Sequence, residues 1–315
     1  MKKLFILFLL SPLVAFAQVK DFELKIIPLY QDSIPNSTGF EFQEVVEGAK
    51  DDPLTFQKTS EPTLSVYLPA EQKRSRAAII IFPGGAYSFL AFKQEGSDVA
   101  RYFAHKGITA IVVKYRLPDD VIMRDISIGA LQDAQQAIKV VRSQCSNWGL
   151  DSNKIGLMGF SAGGHLAATA ATHFEQVLIP NRDNISLRPD FLVLIYPLIT
   201  MKAGMTHRES REKLLGNYPS DNQVSYFSNE LQVTERTPPT WLTHAGDDRV
   251  VSVENSIMFY EALRRQRVRA EMHIYPSGDH GFVLKQPYEQ WTFPLLSWMN
   301  DMGWITNHGD SVYSK

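Results

Sequence analysis

Short, continuous apolar runs recur along this chain, and amphipathic stretches lie between them. Residues 78–82, 108–114, 154–158 and 190–196 are near-continuous apolar runs, many of them β-branched, with charged residues only at their ends, the pattern of strands buried on both faces of a sheet. Two later runs, 241–250 and 270–276, are shorter strands, the first ending in an acidic loop and the second alternating. Near the start, residues 22–28 and 64–68 predict further strands, the second with clean alternation. Helical spacing appears at 98–105, where Val99, Ala100 and Phe103 share a face and Gly107 stops the helix. It returns as one long amphipathic helix at 127–148, then at 253–265 and 288–302. Strands alternating with helices predict an α/β domain with a mostly parallel central sheet flanked by helices. Residues 40–60 are polar and turn-rich and predict no element. Residues 201–239 also break the alternation: polar, charged and interrupted, they separate two core strands and end in Thr237-Pro238-Pro239. An insertion there is expected to form a cap or lid at the C-terminal edge of the sheet.

The chemistry enters at Gly159-Phe160-Ser161-Ala162-Gly163, between an apolar run and a small-residue helical stretch. Strand, sharp turn and helix are the context of a nucleophile elbow, with the serine at the apex and two glycines where side chains would crowd the turn. A serine nucleophile needs a base and an orienting acid later in the chain. His280 stands between Asp279 and Gly281, just past the strand at 270–276, and is the candidate base. The other histidines have poorer contexts. His165 reads as a packing or capping residue, His244 and His273 as strand residues, and His105, His173, His207 and His308 as surface, helix-end or tail residues. Asp247 and Asp248 follow the strand at 241–250; only one of them can point at His280, and the other is a loop-capping or solvated carboxylate. Oxyanion donors are expected where the strand 78–82 runs into Pro83-Gly84-Gly85-Ala86-Tyr87. Tyr87 either lines an acyl pocket or packs. Tyr218, Tyr226 and Phe227 either meet a sugar ring under the lid or form the insertion's own small core.

These motifs carry a resemblance. His244 to Val251 resembles the His-x-x-x-Asp-x-x-Val pattern of α/β hydrolases, which implies Asp248 as the acid. Pro83-Gly84-Gly85-Ala86 resembles the His-Gly-Gly-Gly oxyanion loop of esterases, with Pro83 in the His place and Ala86 in that of the third Gly. It implies an oxyanion hole made by the amides of Gly85, Ala86 and Ala162. Together with Lys114-Tyr115-Arg116-Leu117, Thr237-Pro238-Pro239-Thr240, Val253-Glu254-Asn255-Ser256 and His280-Gly281-Phe282, the chain resembles α/β-hydrolase-superfamily esterases. More narrowly it is similar to bacterial secreted carbohydrate esterases, the acetylxylan-esterase-like proteins related to hormone-sensitive-lipase and feruloyl-esterase groups. The resemblance implies a serine esterase with the triad Ser161, Asp248 and His280. Its expected substrate is an acetylated xylan or xylo-oligosaccharide, with feruloyl or general short-chain esters as the alternative. A catalytically inactive sugar-binding protein is the alternative of another class.

Composition agrees with one large globular domain: 315 residues, 44% hydrophobic, 11% aromatic. A net charge of −2 without blocks of one sign argues against nucleic acid or an anionic membrane surface as partner. Met1-Lys2-Lys3, an apolar stretch and Ala15-Phe16-Ala17 read as a signal peptide cleaved after Ala17, leaving a single domain at 18–315 in the periplasm or outside the cell, with no membrane anchor. Cys145 alone makes no internal disulfide, so the core must hold the fold. No metal or cofactor motif is present, and no carboxylate pair stands out as it would in a glycosidase.

Overall fold

The computed structural model describes residues 21–306. The expected signal peptide and His308 lie outside them. Among the described residues ten strands form, with eight in one sheet: β1 (Phe22–Pro28), β4 (Thr63–Pro69), β5 (Ala78–Phe82), β6 (Thr109–Lys114), β7 (Ile155–Phe160), β8 (Phe191–Ile195), β9 (Thr240–Ala245) and β10 (Ala270–Tyr275). Their order across the sheet is β1-β4-β6-β5-β7-β8-β9-β10; β1 and β4 run antiparallel to their neighbours, and all pairs from β6 to β10 are parallel. Every residue of β5, β6, β7, β8 and β9 is buried, which is why most of these segments read as near-continuous apolar runs. β1, at the edge, is largely exposed.

Alternation along the central strands splits their side chains between two cores. Ile80, Phe82, Leu157 and Leu194 face one side, where α2 (Gly129–Ser143), α4 (Ser161–Thr172) and α7 (Glu254–Arg265) pack. Ile79, Ile81, Met158 and Ile195 face the other, where α1 (Asp98–His105) and α8 (Tyr288–Asp301) bring Phe103 and Trp291. α4 is buried from Ala162 to Ala171, and its small side chains let it lie close to the sheet.

Two sequence expectations need correction. Residues 40–60, read as lacking regular structure, carry a two-stranded hairpin of β2 (Val45–Ala49) and β3 (Asp52–Gln57). β2 is exposed along its whole length, so no apolar periodicity marks it. The single helix at 127–148 is two, α2 and the short α3 (Cys145–Trp148), with a break at Gln144. The insertion 201–239 holds two helices, α5 (Arg208–Leu215) and α6 (Asp221–Tyr226). α6 starts with a full capping box between Ser220 and Gln223, a local signal for a helix start.

Candidate active site

β7 ends at Phe160 and α4 begins at Ser161, whose φ of +51° lies in the left-handed region. A non-glycine residue there is strained, and the tight crossing requires it. A Cβ on Gly159 would stand 2.2 Å from the carbonyl oxygen of Gly163, and one on Gly163 would stand 2.1 Å from that of Phe82. Both glycines are therefore obligatory for bringing strand, helix and the neighbouring β5 end together. The first amides of α4 have no intrahelical acceptor, so the N–H of Ala162 and the positive end of the helix dipole face the serine.

His280 reaches Ser161 from the loop after β10: its Nε2 lies 2.9 Å from Ser161 Oγ, and its Nδ1 2.7 Å from Asp248 Oδ2. Asp248 is fixed by more than the base. Its Oδ1 accepts the N–H groups of Val250 and Val251, both at 2.9 Å, and its Oδ2 also faces His244 Nε2 at 3.1 Å. Burial pushes the Asp248 carboxyl up, but hydrogen bonds from His244 and His280 outweigh it and hold the group well below the usual carboxylate range. The carboxyl thus stays ionised beside the base.

Asp247 has a different task. Its Oδ1 accepts the N–H of Asp279 at 2.8 Å, while Asp279 accepts the N–H groups of Arg249 and His280. The two carboxylates clasp the loop of Asp248 to the loop of His280. His244, read from sequence as a strand residue, is fully buried against Asp248, Val251 and Ser256. Its spacing of four residues before Asp248 was the available signal.

Gly85 and Ala86 stand at the other side of the serine. Gly85 has φ +123° and Ala86 +56°, and among the described residues neither amide is paired with an acceptor of the chain. The loop touches Ser161 closely: a Cβ on Gly84 would lie 2.9 Å from Ser161 Cβ.

The aromatic candidates fall elsewhere. Tyr87 is 1% exposed and its hydroxyl meets His165 Nδ1 at 2.8 Å, so it packs in the core and does not line an open pocket. Phe227 is buried, and its carbonyl accepts from His165 Nε2 at 2.8 Å. Tyr226 is half-buried against His173, with its hydroxyl on Gln176, and Tyr218 is fully exposed. Tyr226 and Phe227 thus serve the packing of the insertion against α4 and the segment after it. The insertion meets the site through other residues. Met205 O accepts from Asn255 Nδ2 at 3.1 Å near the acid loop, and Glu209 accepts from Ser88 Oγ at 2.6 Å beside the oxyanion loop.

His165 joins three elements: Tyr87 of the oxyanion loop, α4 and Phe227 of the insertion. A carbonyl can only accept, so Nε2 carries the proton and Nδ1 accepts from the tyrosine hydroxyl. Burial depresses this imidazole to about 4, below its unfolded value of about 6.5. The folded state therefore binds fewer protons than the unfolded one between these values. Stability is complete above pH 6.5 and is lost as pH falls toward 4, by on the order of 3 kcal/mol. Urea unfolding of wild type and His165→Gln at pH 7.5 and 4.5 checks this. The variant is expected to lose part of the pH difference, and identical differences would overturn the assignment.

The BD-FAE family matches residues 64–263. Endo-1,4-beta-xylanase B of Butyrivibrio fibrisolvens is 35% identical over 225 residues, covering 71% of this chain and 35% of the xylanase. The acetylxylan esterase of Xylanibacter ruminicola is 34% identical over 238 residues, covering 74% of this chain and 46% of that one. The chain thus spans less than half the length of these two curated relatives. Among solved structures, the acetyl ester-xyloside bifunctional hydrolase from Caldicellulosiruptor lactoaceticus aligns with a TM-score of 0.73 and 34% identity, over 89% of this chain and 97% of that one. No helix of the described residues is long and apolar enough to cross a membrane. A family match spanning the strands from β4 to β9, together with this structural likeness, means that the chain belongs to the BD-FAE family and has the α/β-hydrolase fold.

Proposed function

We propose that this protein is an exported serine esterase that removes acetyl groups from xylan or xylo-oligosaccharides. The observation that carries the reaction class is the unbroken hydrogen-bond chain from Ser161 Oγ through His280 to Asp248, at 2.9 and 2.7 Å. The donor directions follow from chemistry: Asp248 only accepts, so His280 Nδ1–H donates to it and Nε2 is left to accept the serine proton. Ser161 Oγ attacks the ester carbonyl as its proton passes to His280 Nε2. The developing oxyanion accepts from the amides of Gly85, Ala86 and Ala162. Collapse expels the sugar oxygen as an alkoxide, which takes the proton from His280 and leaves as the free hydroxyl. Water then attacks the acyl-enzyme with the same base, and the carboxylic acid leaves Ser161 free.

The names of the relatives support the substrate class: an acetylxylan esterase, a xylanase and an acetyl ester-xyloside hydrolase. The surroundings of the triad support it too. Residues 205–209 run from a bond with Asn255 to one with Ser88 and carry His207, Arg208 and Glu209. Such a polar segment suits a hydroxyl-rich leaving group better than an acyl tail, which gains about 0.8 kcal/mol per methylene only from continuous apolar surface. The signal-peptide-like composition of residues 1–17 supports export.

Acetate release from acetylated xylo-oligosaccharides, measured beside methyl ferulate and p-nitrophenyl esters of rising chain length, tests the reading. Acetylated sugar and p-nitrophenyl acetate are expected to be the best substrates. Faster turnover of acyl chains beyond roughly eight carbons, where an apolar tunnel dominates binding, would replace it with a lipase-like activity. Faster turnover of methyl ferulate would replace the acetyl group with the feruloyl group.

A further inference from the structure

A buried carboxylate that the proton relay does not use sits directly behind the nucleophile. Glu95 lies in a short π-helical turn, Lys93–Ser97, ahead of α1, and is 6% exposed. Such turns recur at functional sites. Each of its oxygens receives one donor. Oε2 accepts the backbone N–H of Gly84 at 2.6 Å, and Oε1 accepts the hydroxyl of Tyr196 at 2.9 Å. A Cβ on Gly84, besides crowding Ser161 Cβ, would lie 2.6 Å from Glu95 Oε2. Carboxylate, loop and serine therefore share one layer of contact.

Tyr196 carries the connection to the base. It is the first residue after β8, fully buried, with a left-handed φ of +36°. Its ring packs on the His280 imidazole with centroids 4.8 Å apart at 61°. The path Gly84, Glu95, Tyr196, His280 thus runs from the oxyanion loop to the base without passing through Ser161 or Asp248. Burial pushes the Glu95 carboxyl up, and the hydrogen bonds from Gly84 and Tyr196 oppose that shift, so its placement depends on both partners.

We propose that Glu95 is a positioning residue for both halves of the site, holding the Gly85 and Ala86 amides through Gly84 and the His280 ring through Tyr196. This rests on the serine-esterase reading. The loop amides one and two residues beyond Gly84 act only on the oxyanion, so a small displacement weakens transition-state binding and leaves ground-state binding nearly unchanged.

The substitutions Tyr196→Phe, Glu95→Gln and Glu95→Ala separate the parts. Tyr196→Phe keeps the ring and removes the hydroxyl. Glu95→Gln retains an acceptor for Gly84 and turns a donor toward Tyr196. Glu95→Ala removes both links. With p-nitrophenyl acetate, Tyr196→Phe and Glu95→Gln are expected to lower kcat roughly tenfold with KM within about twofold, and their double variant to be no worse than either alone. Glu95→Ala is expected to lose about 100-fold. Affinity for a trifluoromethyl ketone, whose adduct with serine carries the oxyanion, should fall in parallel with kcat/KM across the set. A lowered melting temperature with kcat unchanged would overturn the proposal, as would independent, multiplying losses in the double variant. Should Glu95→Ala not fold, Tyr196→Phe and Glu95→Gln decide. Wild type and Ser161→Ala on the same substrate judge the esterase reading separately.

Discussion

Ser161→Ala is expected to lower kcat for p-nitrophenyl acetate by on the order of 10⁶, leaving only the acceleration that binding and the oxyanion amides give without a nucleophile. The size of the effect follows from the geometry. Ser161 Oγ is the only serine oxygen on His280 Nε2 among the described residues, and no other nucleophile stands on that base. The substitution removes one oxygen and asks nothing new of the backbone, because alanine faces the same left-handed conformation at φ +51°. Melting curves should therefore stay close to wild type while turnover vanishes. Activity retained within tenfold, in protein free of other esterases, would show that Ser161 does not form the acyl-enzyme.

The second large effect is Asp248→Asn, expected to cost on the order of 10⁴ in kcat. The hydrogen bonds explain why an isosteric change is so damaging. Oδ1 accepts two backbone N–H groups, from Val250 and Val251, so the asparagine carbonyl must take that place. Its NH₂ group then faces His280 Nδ1, where Oδ2 was. A donor there forces the imidazole proton onto Nε2, and the base can no longer accept from Ser161. Asp247→Asn should keep kcat within about twofold, since an amide carbonyl still accepts from Asp279 N–H as Asp247 does. Steady-state kinetics on the two variants compare them directly. The reverse order of losses would move the acid to Asp247 and discard the hydrogen-bond assignment.

The strand–turn–helix crossing at Ser161 was legible because its requirements are local. A buried strand, small residues at two fixed positions and a helix start all lie within the residues around Ser161, and each has a compositional trace. The choice between Asp247 and Asp248 was legible only through resemblance. Adjacent carboxylates in a loop look alike until the amides of Val250 and Val251 and the ring of His244 single one out. The aromatics stayed ambiguous for a related reason. Tyr87 has an apolar body and a polar tip, which suits a substrate pocket and a core with one hydrogen-bond partner equally well. Its partner, His165, is 78 residues away.

By itself the sequence determined the alternation of buried parallel strands with amphipathic helices, and hence an α/β sheet whose C-terminal edge carries Ser161 and His280. Apolar periodicity and turn chemistry act over a few residues, so they can be read in order along the chain. Only the tertiary structure decided what meets across that edge. It gave His280 a serine 119 residues away and Glu95 a tyrosine 101 residues away. It also showed the aromatics of 226–227 packing inward, and an exposed β2 pairing with a β3 whose Phe56 packs on Phe92. Those outcomes depend on which surfaces the sheet order β5-β7-β8-β9-β10 brings together, and polar contacts between distant segments leave no period in the sequence from which they could be read.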